Sequence, residues 1–430
     1  LVGPENNAVF RGASPLPRLE WQPVTQLGPD EYYLVKLSFQ EQGRPALFTW
    51  RLTQPGWPIP VELFHRADPP ARRFEWQVEV VKIPPGGTNL DAIPSGPASP
   101  IWNFSWERKP LPDGPGIDVV INPDDGFQVL VILRDVGIYK SDNGGIDWRL
   151  VSQDVLSSSL ETLHIAPANS NIVYAGAFEQ ILKSKNGGET WPDRLILPGV
   201  QIYAIATDPD DANIVFAATS KGVVRSGDSG PSWLGLGKAT DGVIVDRAYY
   251  SLVTVNTDQG NRVYTAGDGN QIYWRGTDDV STPWQTQICN VCRPPIFTLA
   301  VDPENNAKLL AGSDKAVLAI STDEGNIWSP VAIPLSIATL KFSTLEIDPA
   351  NPKIIYAGSG TNRDFDGQGL YRSLDGGQTW QQFNNSPLSN VASRYIQGIA
   401  LDPTDSQTIF IAGSQGIFRS DDGGNNWRKQ

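Results

Sequence analysis

GLYRSLDGGQTW, residues Gly369 to Trp380, decides how this chain reads, because close variants of it recur. They are GIYKSDNGGIDW (Gly137 to Trp148), QILKSKNGGETW (Gln180 to Trp191), GVVRSGDSGPSW (Gly222 to Trp233), AVLAISTDEGNIW (Ala316 to Trp328) and GIFRSDDGGNNW (Gly416 to Trp427). A degraded copy, QIYWRGTDDVSTPW (Gln271 to Trp284), has Gly276 in place of the serine and one inserted residue before the tryptophan. Ser141 and Ser184 are 43 residues apart, Ser184 and Ser226 42, Ser321 and Ser373 52, and Ser373 and Ser420 47. The 95 residues from Ser226 to Ser321 hold the degraded copy and divide into two similar units. Periods of roughly 40 to 50 residues with short strands predict a β-propeller, here all-β with seven four-stranded blades.

Each unit repeats one order of strands. The sixth reads STLEIDPANP, KIIYAGSG, GLYRSLDGG, QTWQQF, and its first strand is matched by HIAPANS, AIATDPDDA, LAVDPENN and GIALDPTDS. Small Ala and Gly at the ends of the second strands suit a place where blades converge. In S-x-D-x-G-x-x-W the Ser and Asp side chains can bond nearby backbone N–H groups, Gly supplies a positive φ, and Trp caps the hairpin. The turn residues are Ser141, Asn143 and Trp148; Ser184, Asn186 and Trp191; Ser226, Asp228 and Trp233; Ser321, Asp323 and Trp328; Ser373, Asp375 and Trp380; Ser420, Asp422 and Trp427. Asn143 and Asn186 keep the acceptor and lose the charge, which fits a structural role better than acid–base chemistry. The last unit carries its own strands to NNWRKQ, so the ring is expected to close by packing of the first blade against the last.

A chain of 430 residues is too long for one ordinary core. Its 41 Gly and 35 Pro are spread among apolar and aromatic runs, the pattern of many turns between strands. A net charge of −13 argues against a general phosphate-backbone binder, so nucleic acid is not an expected partner. No run approaches the roughly 18 uncharged apolar residues of a membrane helix, and no transmembrane segment is expected in this chain. The start at Leu1 and the absence of Met read as a processed terminus, consistent with export. Cys289 and Cys292, in ICNVCRPP, lack the second pair or nearby His of a zinc site, and Arg293 stands where haem attachment needs His. The expectation is a local disulfide in an exposed loop, the alternatives being free thiols or a redox pair. No metal and no cofactor is expected.

Residues 1–108 differ in pattern. LPRLEWQPV, DEYYLVKLSF, ALFTWRL, VELFHRA, FEWQVEVVKI and PIWNFSWERK alternate between turn clusters, which predicts an antiparallel β-sandwich. Trp21, Tyr33, Leu34, Phe74, Trp76, Val78 and Val80 are its expected inward residues. The order EW, YYLVKL, FEWQVEVV, FSWER resembles fibronectin type III or immunoglobulin-like modules, without their cysteine pair. His65, beside Arg66, has no ligand partner at metal spacing and reads as structural. Asn103-Phe-Ser105 and Asn384-Asn385-Ser386 match the N-glycosylation tripeptide.

Residues 109–430 are identified by the combination of DPxNPxxIYAG with the recurrent turn as Asp-box, or BNR, repeats of the sialidase-like propeller superfamily. They resemble most the photosystem II assembly factor type (Ycf48-like), the xyloglucanase family and the sortilin ectodomain. The resemblance covers about three-quarters of the chain and implies a fold more than a function. A sialidase would carry an F-R-I-P motif; Phe10-Arg11-Gly12-Ala13 breaks it and lies in the first domain. Xyloglucanase-like enzymes set acids across a cleft between two propellers, and this chain supplies one. No catalytic residue is nominated.

Strand order in a propeller places the DPxNP and Asp-box turns on one regular face. The opposite face carries the irregular links, where function concentrates. The expected binding residues there are Tyr249, Tyr250, Arg363, Asp364, Asp366, Arg394 and Tyr395. Asn362-x-Asp364-x-Asp366-Gly367 resembles half of a calcium loop, but Ser373 stands at position twelve in place of the bidentate acid. The sequence therefore reads as an exported, extracellular or cell-surface bacterial binding module for a protein partner or surface assembly. The alternatives are a carbohydrate-active enzyme or lectin, and a Ycf48-like assembly factor for a membrane complex.

Overall fold

A computed structural model describes residues 2–430 apart from 5, 12–17, 24–25, 42–43, 60–62, 64–70, 108, 153–158, 231, 234–246, 279–281, 316, 334–340, 361–366, 368 and 384–394. The described chain is β throughout, with helix confined to short turns such as Asn89–Asp91. It divides into two compact units, Leu1–Leu111 with Ser141–Trp148, and Pro112–Lys140 with Arg149–Gln430.

The first unit is built on a sheet in which Ala8–Arg11, Trp102–Glu107, Ala71–Lys82, Glu31–Glu41 and Arg44–Leu52 lie side by side, the first two parallel. Arg18–Leu19 pairs separately with Trp57–Pro58. The period-two rule sends Tyr33, Val35, Leu37 and Phe39 to one face, where they pack with Phe74, Trp76, Val78 and Phe104. Trp21 joins this core and Val80 packs at its margin. Leu34, expected to point inward with them, takes the opposite face with Val81 and Ile83, as its even position requires. Ile146, fully buried, also belongs to the core of this unit. His65 lies outside the described residues.

In the second unit, β1 (Gly116–Asn122) leads a sheet completed by Asp125–Leu133, Gly137–Ser141 and Arg149–Leu150. Next come β2 (Leu160–Ile165), β3 (Asp193–Thr207), β4 (Tyr249–Val255), β5 (Ile296–Val301), β6 (Phe342–Ile347) and β7 (Ile396–Asp402). From β4 onward each leads its own four-stranded antiparallel sheet. β2 and β3 share one continuous sheet. The first residues of β3 pair with Val173–Ser184 (Lys183 opposite Asp193), and its last pair with Val215–Thr219 (Thr207 opposite Val215). Successive members of β1 to β7 are neighbours, and β7 lies beside β1. Many four-stranded sheets arranged this way make a β-propeller.

Close approach at the inner strands explains the small residues there. A Cβ on Gly358 would lie 2.5 Å from Thr344 Cγ2 and 2.8 Å from the backbone oxygen of Ile396 in the next sheet. The recurrent turn closes the other end. Ser373 Oγ accepts from Gly377 N at 2.8 Å and donates to Asp375 Oδ1 at 2.8 Å, Asp375 Oδ1 accepts from Thr379 N at 2.9 Å, and Trp380 Nε1 donates to Gly377 O at 3.0 Å. Gly377 has φ +92°, a conformation that side chains resist. Asn143 and Asn186 do the same work through Oδ1, each accepting from the backbone N–H four residues on at 3.0 Å. The degraded copy has no serine oxygen, and Trp284 Nε1 finds no hydrogen-bond partner among the described residues, nor does Trp191 Nε1 in the intact second copy. Cys289 and Cys292 form a disulfide, but not in an exposed loop: both are buried in the core that β5 covers.

The Thr379 hydroxyl and backbone N–H hold Asp375 at a pKa of about 2, below its ordinary 3.8. A carboxylate depressed on folding adds stability that is present above its unfolded pKa and lost as pH falls through the folded one. Asp375→Asn is expected to keep the turn and flatten the decline in melting temperature between about pH 4 and pH 2. Ser373→Ala, by stranding the Gly377 N–H, is expected to cost about 1–3 kcal/mol in urea unfolding at neutral pH.

Candidate functional site

Each inner strand contains the same irregularity, near its start except in the long β3, where it falls at the start of the part that pairs with Val215–Thr219. In β2, Leu160 pairs with Ala177 and Thr162 with Gly176, leaving Glu161 unpaired. The shift recurs in the others and singles out Ile117, Tyr203, Tyr250, Phe297, Ser343 and Gln397. A β-bulge re-aims the extra residue, and since β1 to β7 are successive neighbours, the bulged residues form one ring. All except Ile117 keep partial solvent access.

The ring is chemically lopsided. Tyr203 and Tyr250 lie 4.9 Å apart between ring centroids, and Tyr250 and Phe297 5.5 Å. Lys341 Nζ extends this aromatic arc, 5.6 Å from the Phe297 centroid. Tyr250 is fixed from behind by donating its hydroxyl to Asp268 Oδ1 at 2.8 Å. The remaining side is polar. Ser343 Oγ donates to the Ile396 carbonyl at 2.8 Å, Glu161 brings a carboxyl group, and Gln397 Oε1 has no hydrogen-bond partner among the described residues.

Beyond the ring, Asp118 in β1 accepts from Leu163 N and from Val119 N, each at 2.8 Å, tying the first sheet to the second. Burial pushes its pKa up to about 7 against those bonds. Glu346 in β6 has its pKa pushed up to about 8, by burial first and then by the charges of Asp118 and Asp348. Glu346 keeps partial solvent access. His164 is structural: Nε2 accepts from Thr207 N at 3.1 Å, and burial lowers its pKa to about 4, so the ring is neutral. Among the described residues no three His, Cys, Asp or Glu side chains are grouped to hold a metal ion.

Of the expected binding residues, Tyr250 alone stands in the arc. Tyr249 and Tyr395 are not surface groups. Tyr249 is buried edge-on to Tyr273, and Tyr395 is fully buried, its hydroxyl receiving a bond from Arg134 at 3.4 Å. Neighbouring residues on a strand point oppositely, so Tyr249 packs between sheets while Tyr250 faces out. Arg363, Asp364, Asp366 and Arg394 lie outside the described residues, as do the half calcium loop from 362 and the tripeptide from 384. Tyr203, Phe297 and Lys341 were missed by the sequence reading. Their signal was an aromatic residue directly after the first large apolar one, in QIYAIA, AYYSLV and PIFTLA, visible only when units are aligned on their first strands.

Residues 105–419 match the family model described as photosynthesis system II assembly factor YCF48. The chain belongs to this family. Solved structures share its fold: the GH74 xyloglucanase from Xanthomonas campestris (TM-score 0.58, 19% identity, 73% of this chain and 52% of that one) and the GH74 enzyme of Niastella koreensis (0.57, 18%, 74% and 55%). YCF48 bound to D1 peptide aligns with TM-score 0.53 and 18% identity over 73% of this chain and 95% of that one, and YCF48 from Cyanidioschyzon merolae with 0.52 and 15% over 73% and 98%. The chain thus spans about half the length of the GH74 enzymes and nearly all of the YCF48 structures. No curated protein matches it.

An acid whose pKa rises on folding stabilises the protein below its unfolded pKa and withdraws that stability as pH climbs to the folded one. Glu346, ordinarily 4.5 and here about 8, puts that window between those values. The expected outcome is a melting temperature that falls from pH 5 towards pH 8, and a shallower fall in Glu346→Gln, read by calorimetry at matched ionic strength.

Proposed function

We propose that this family member is a non-catalytic binding or assembly factor that uses the bulge-ring face to hold a segment of a protein partner. The family match over residues 105–419 carries the reading. The aromatic arc supports this choice of face, since solvent-accessible aromatic side chains with fixed rotamers are the usual energetic centres of protein recognition. A structural neighbour is YCF48 bound to D1 peptide, a precedent for a peptide on a related propeller. In this reading β1 to β7 lead seven blades of one ring spanning 109–430, and residues 1–108 form an immunoglobulin- or fibronectin III-like module serving as spacer or second contact surface. The disulfide supports an oxidising compartment, in keeping with export or a cell-surface position. Carbohydrate is the second reading, and one observation favours it: ring faces such as Tyr203, Tyr250 and Phe297 suit stacking on sugars as well as on peptide side chains.

Copurification from the native source with quantitative mass spectrometry tests the choice. A protein partner is expected with wild-type chain, and Phe297→Ala, which breaks no hydrogen bond of the fold, is expected to weaken its capture at least roughly tenfold. Recovery of the chain alone together with binding or cleavage of a polysaccharide would overturn the protein-partner reading.

A further inference from the structure

The residue before the turn serine is a cation in most repeats, and its partner shows what each site lacks. Lys140 reaches Glu189 in the following turn, Nζ to Oε1 2.8 Å, and Arg149 joins the same carboxylate. Lys183 occupies the same place one repeat later. Aligning NGGETW with DSGPSW puts Pro231 where Glu189 stood, so the next turn offers no carboxylate at that position; Pro231 itself lies outside the described residues. Lys183, only 7% exposed, instead donates to the Ser229 carbonyl at 2.8 Å and lies 5.6 Å from the Tyr174 ring centroid. An ammonium has three donors. Among the described residues no carboxylate forms an ion pair with this one: Asp193 and Asp228 act on it only at longer range, Asp193 being held by Lys185 at 2.7 Å and Asp228 bonded within its own turn to Ser226 Oγ at 2.7 Å and to Ser232.

Beside this lysine is a cavity of about 370 Å³, lined also by Tyr174, Lys185, Arg194 and Trp233 and by one carboxylate, Asp193, which Lys185 already neutralises. Trp233 is the odd member of its series. The five tryptophans of the other intact turns are buried, whereas Trp233 keeps part of its indole exposed. The cavity thus joins a buried cation to an aromatic wall, in the size range of small-ligand sites.

We propose that this cavity binds a small organic carboxylate, its anionic group meeting Lys183 Nζ in the role Glu189 plays for Lys140, and its apolar body lying against Trp233. The carboxylate is either that of a free acid or the side chain of an acidic residue on a bound peptide. The site is separate from the bulge ring, so it stands or falls independently of the partner reading.

Titration calorimetry with phenylacetate, its neutral analogue phenylacetamide, and acetyl-Phe-Glu-amide tests the proposal. Phenylacetate is expected to bind at least roughly tenfold more tightly than phenylacetamide, and Lys183→Met, which keeps the stem against Tyr174, is expected to erase that difference. Tighter binding of the peptide than of phenylacetate assigns the carboxylate to a partner's side chain, and the reverse order to a free acid; either supports the site. Equal binding of phenylacetate and phenylacetamide, or unchanged selectivity in a folded Lys183→Met, overturns it. Should that variant not fold, the wild-type contrast alone decides: selectivity for the acid supports the site, and its absence or no binding up to ~10 mM refutes it.

Discussion

A serine hydroxyl that accepts from the backbone N–H groups two and four residues on and donates to one side-chain oxygen closes the third-to-fourth-strand turn of each intact repeat. The turn has a glycine in the left-handed region, and without an acceptor the N–H of its second glycine position would be stranded in a buried place. Because the geometry is local, it can be copied wherever a strand pair must turn, independently of what the rest of the sheet does. The tryptophan then returns to the turn through its indole N–H, covering the end of the sheet. The inner ends obey a different constraint, crowding, which the glycines at the second strands relieve.

These two constraints explain what could be read in advance. The turn is a fixed string with fixed chemistry, and small residues at the second strands mark convergence, so the propeller and the order of its strands were legible. In the first unit alternation gave most of the core, and Leu34 went astray because it was grouped with Tyr33 despite the opposite parity. The same parity separates Tyr249 from Tyr250. The bulge ring was not legible from the turn, because a register shift arises from how two strands meet and leaves no fixed residue type: Glu161, Phe297 and Ser343 hold equivalent places. The buried disulfide was misplaced for a related reason, since CNVC followed by Arg293 and two prolines reads as surface until the following strand packs over it.

The proposed sites therefore sit where the repeats stop agreeing. The serine bonds of the outer turns are nearly invariant, whereas the bulged positions range from isoleucine to glutamate to tyrosine, and the cation before the serine meets a carboxylate in some repeats and a carbonyl of the following turn in others. Variation at positions with one geometry is what allows a ring of similar units to present an aromatic side, a polar side and, at a separate place, a cation beside an open indole. The acids Asp118 and Glu346 belong to the same economy of positions: one joins two sheets through backbone N–H groups, and the other faces the interior without that duty.

The long strand β3 has a consequence for how the array yields under load or heat. Other neighbouring sheets meet through side chains, by packing and by bonds such as Leu163 N to Asp118 or Ser343 Oγ to the Ile396 carbonyl, so each can in principle detach by giving up a side-chain interface. Here a single backbone run from Asp193 to Thr207 carries hydrogen bonds to Val173–Ser184 at one end and to Val215–Thr219 at the other. Fraying of either sheet therefore pulls on the ladder of its neighbour, and the two behave as one cooperative block within an otherwise modular array. Slow amide exchange should run without interruption through this junction, and the weaker seams of the ring should fall elsewhere.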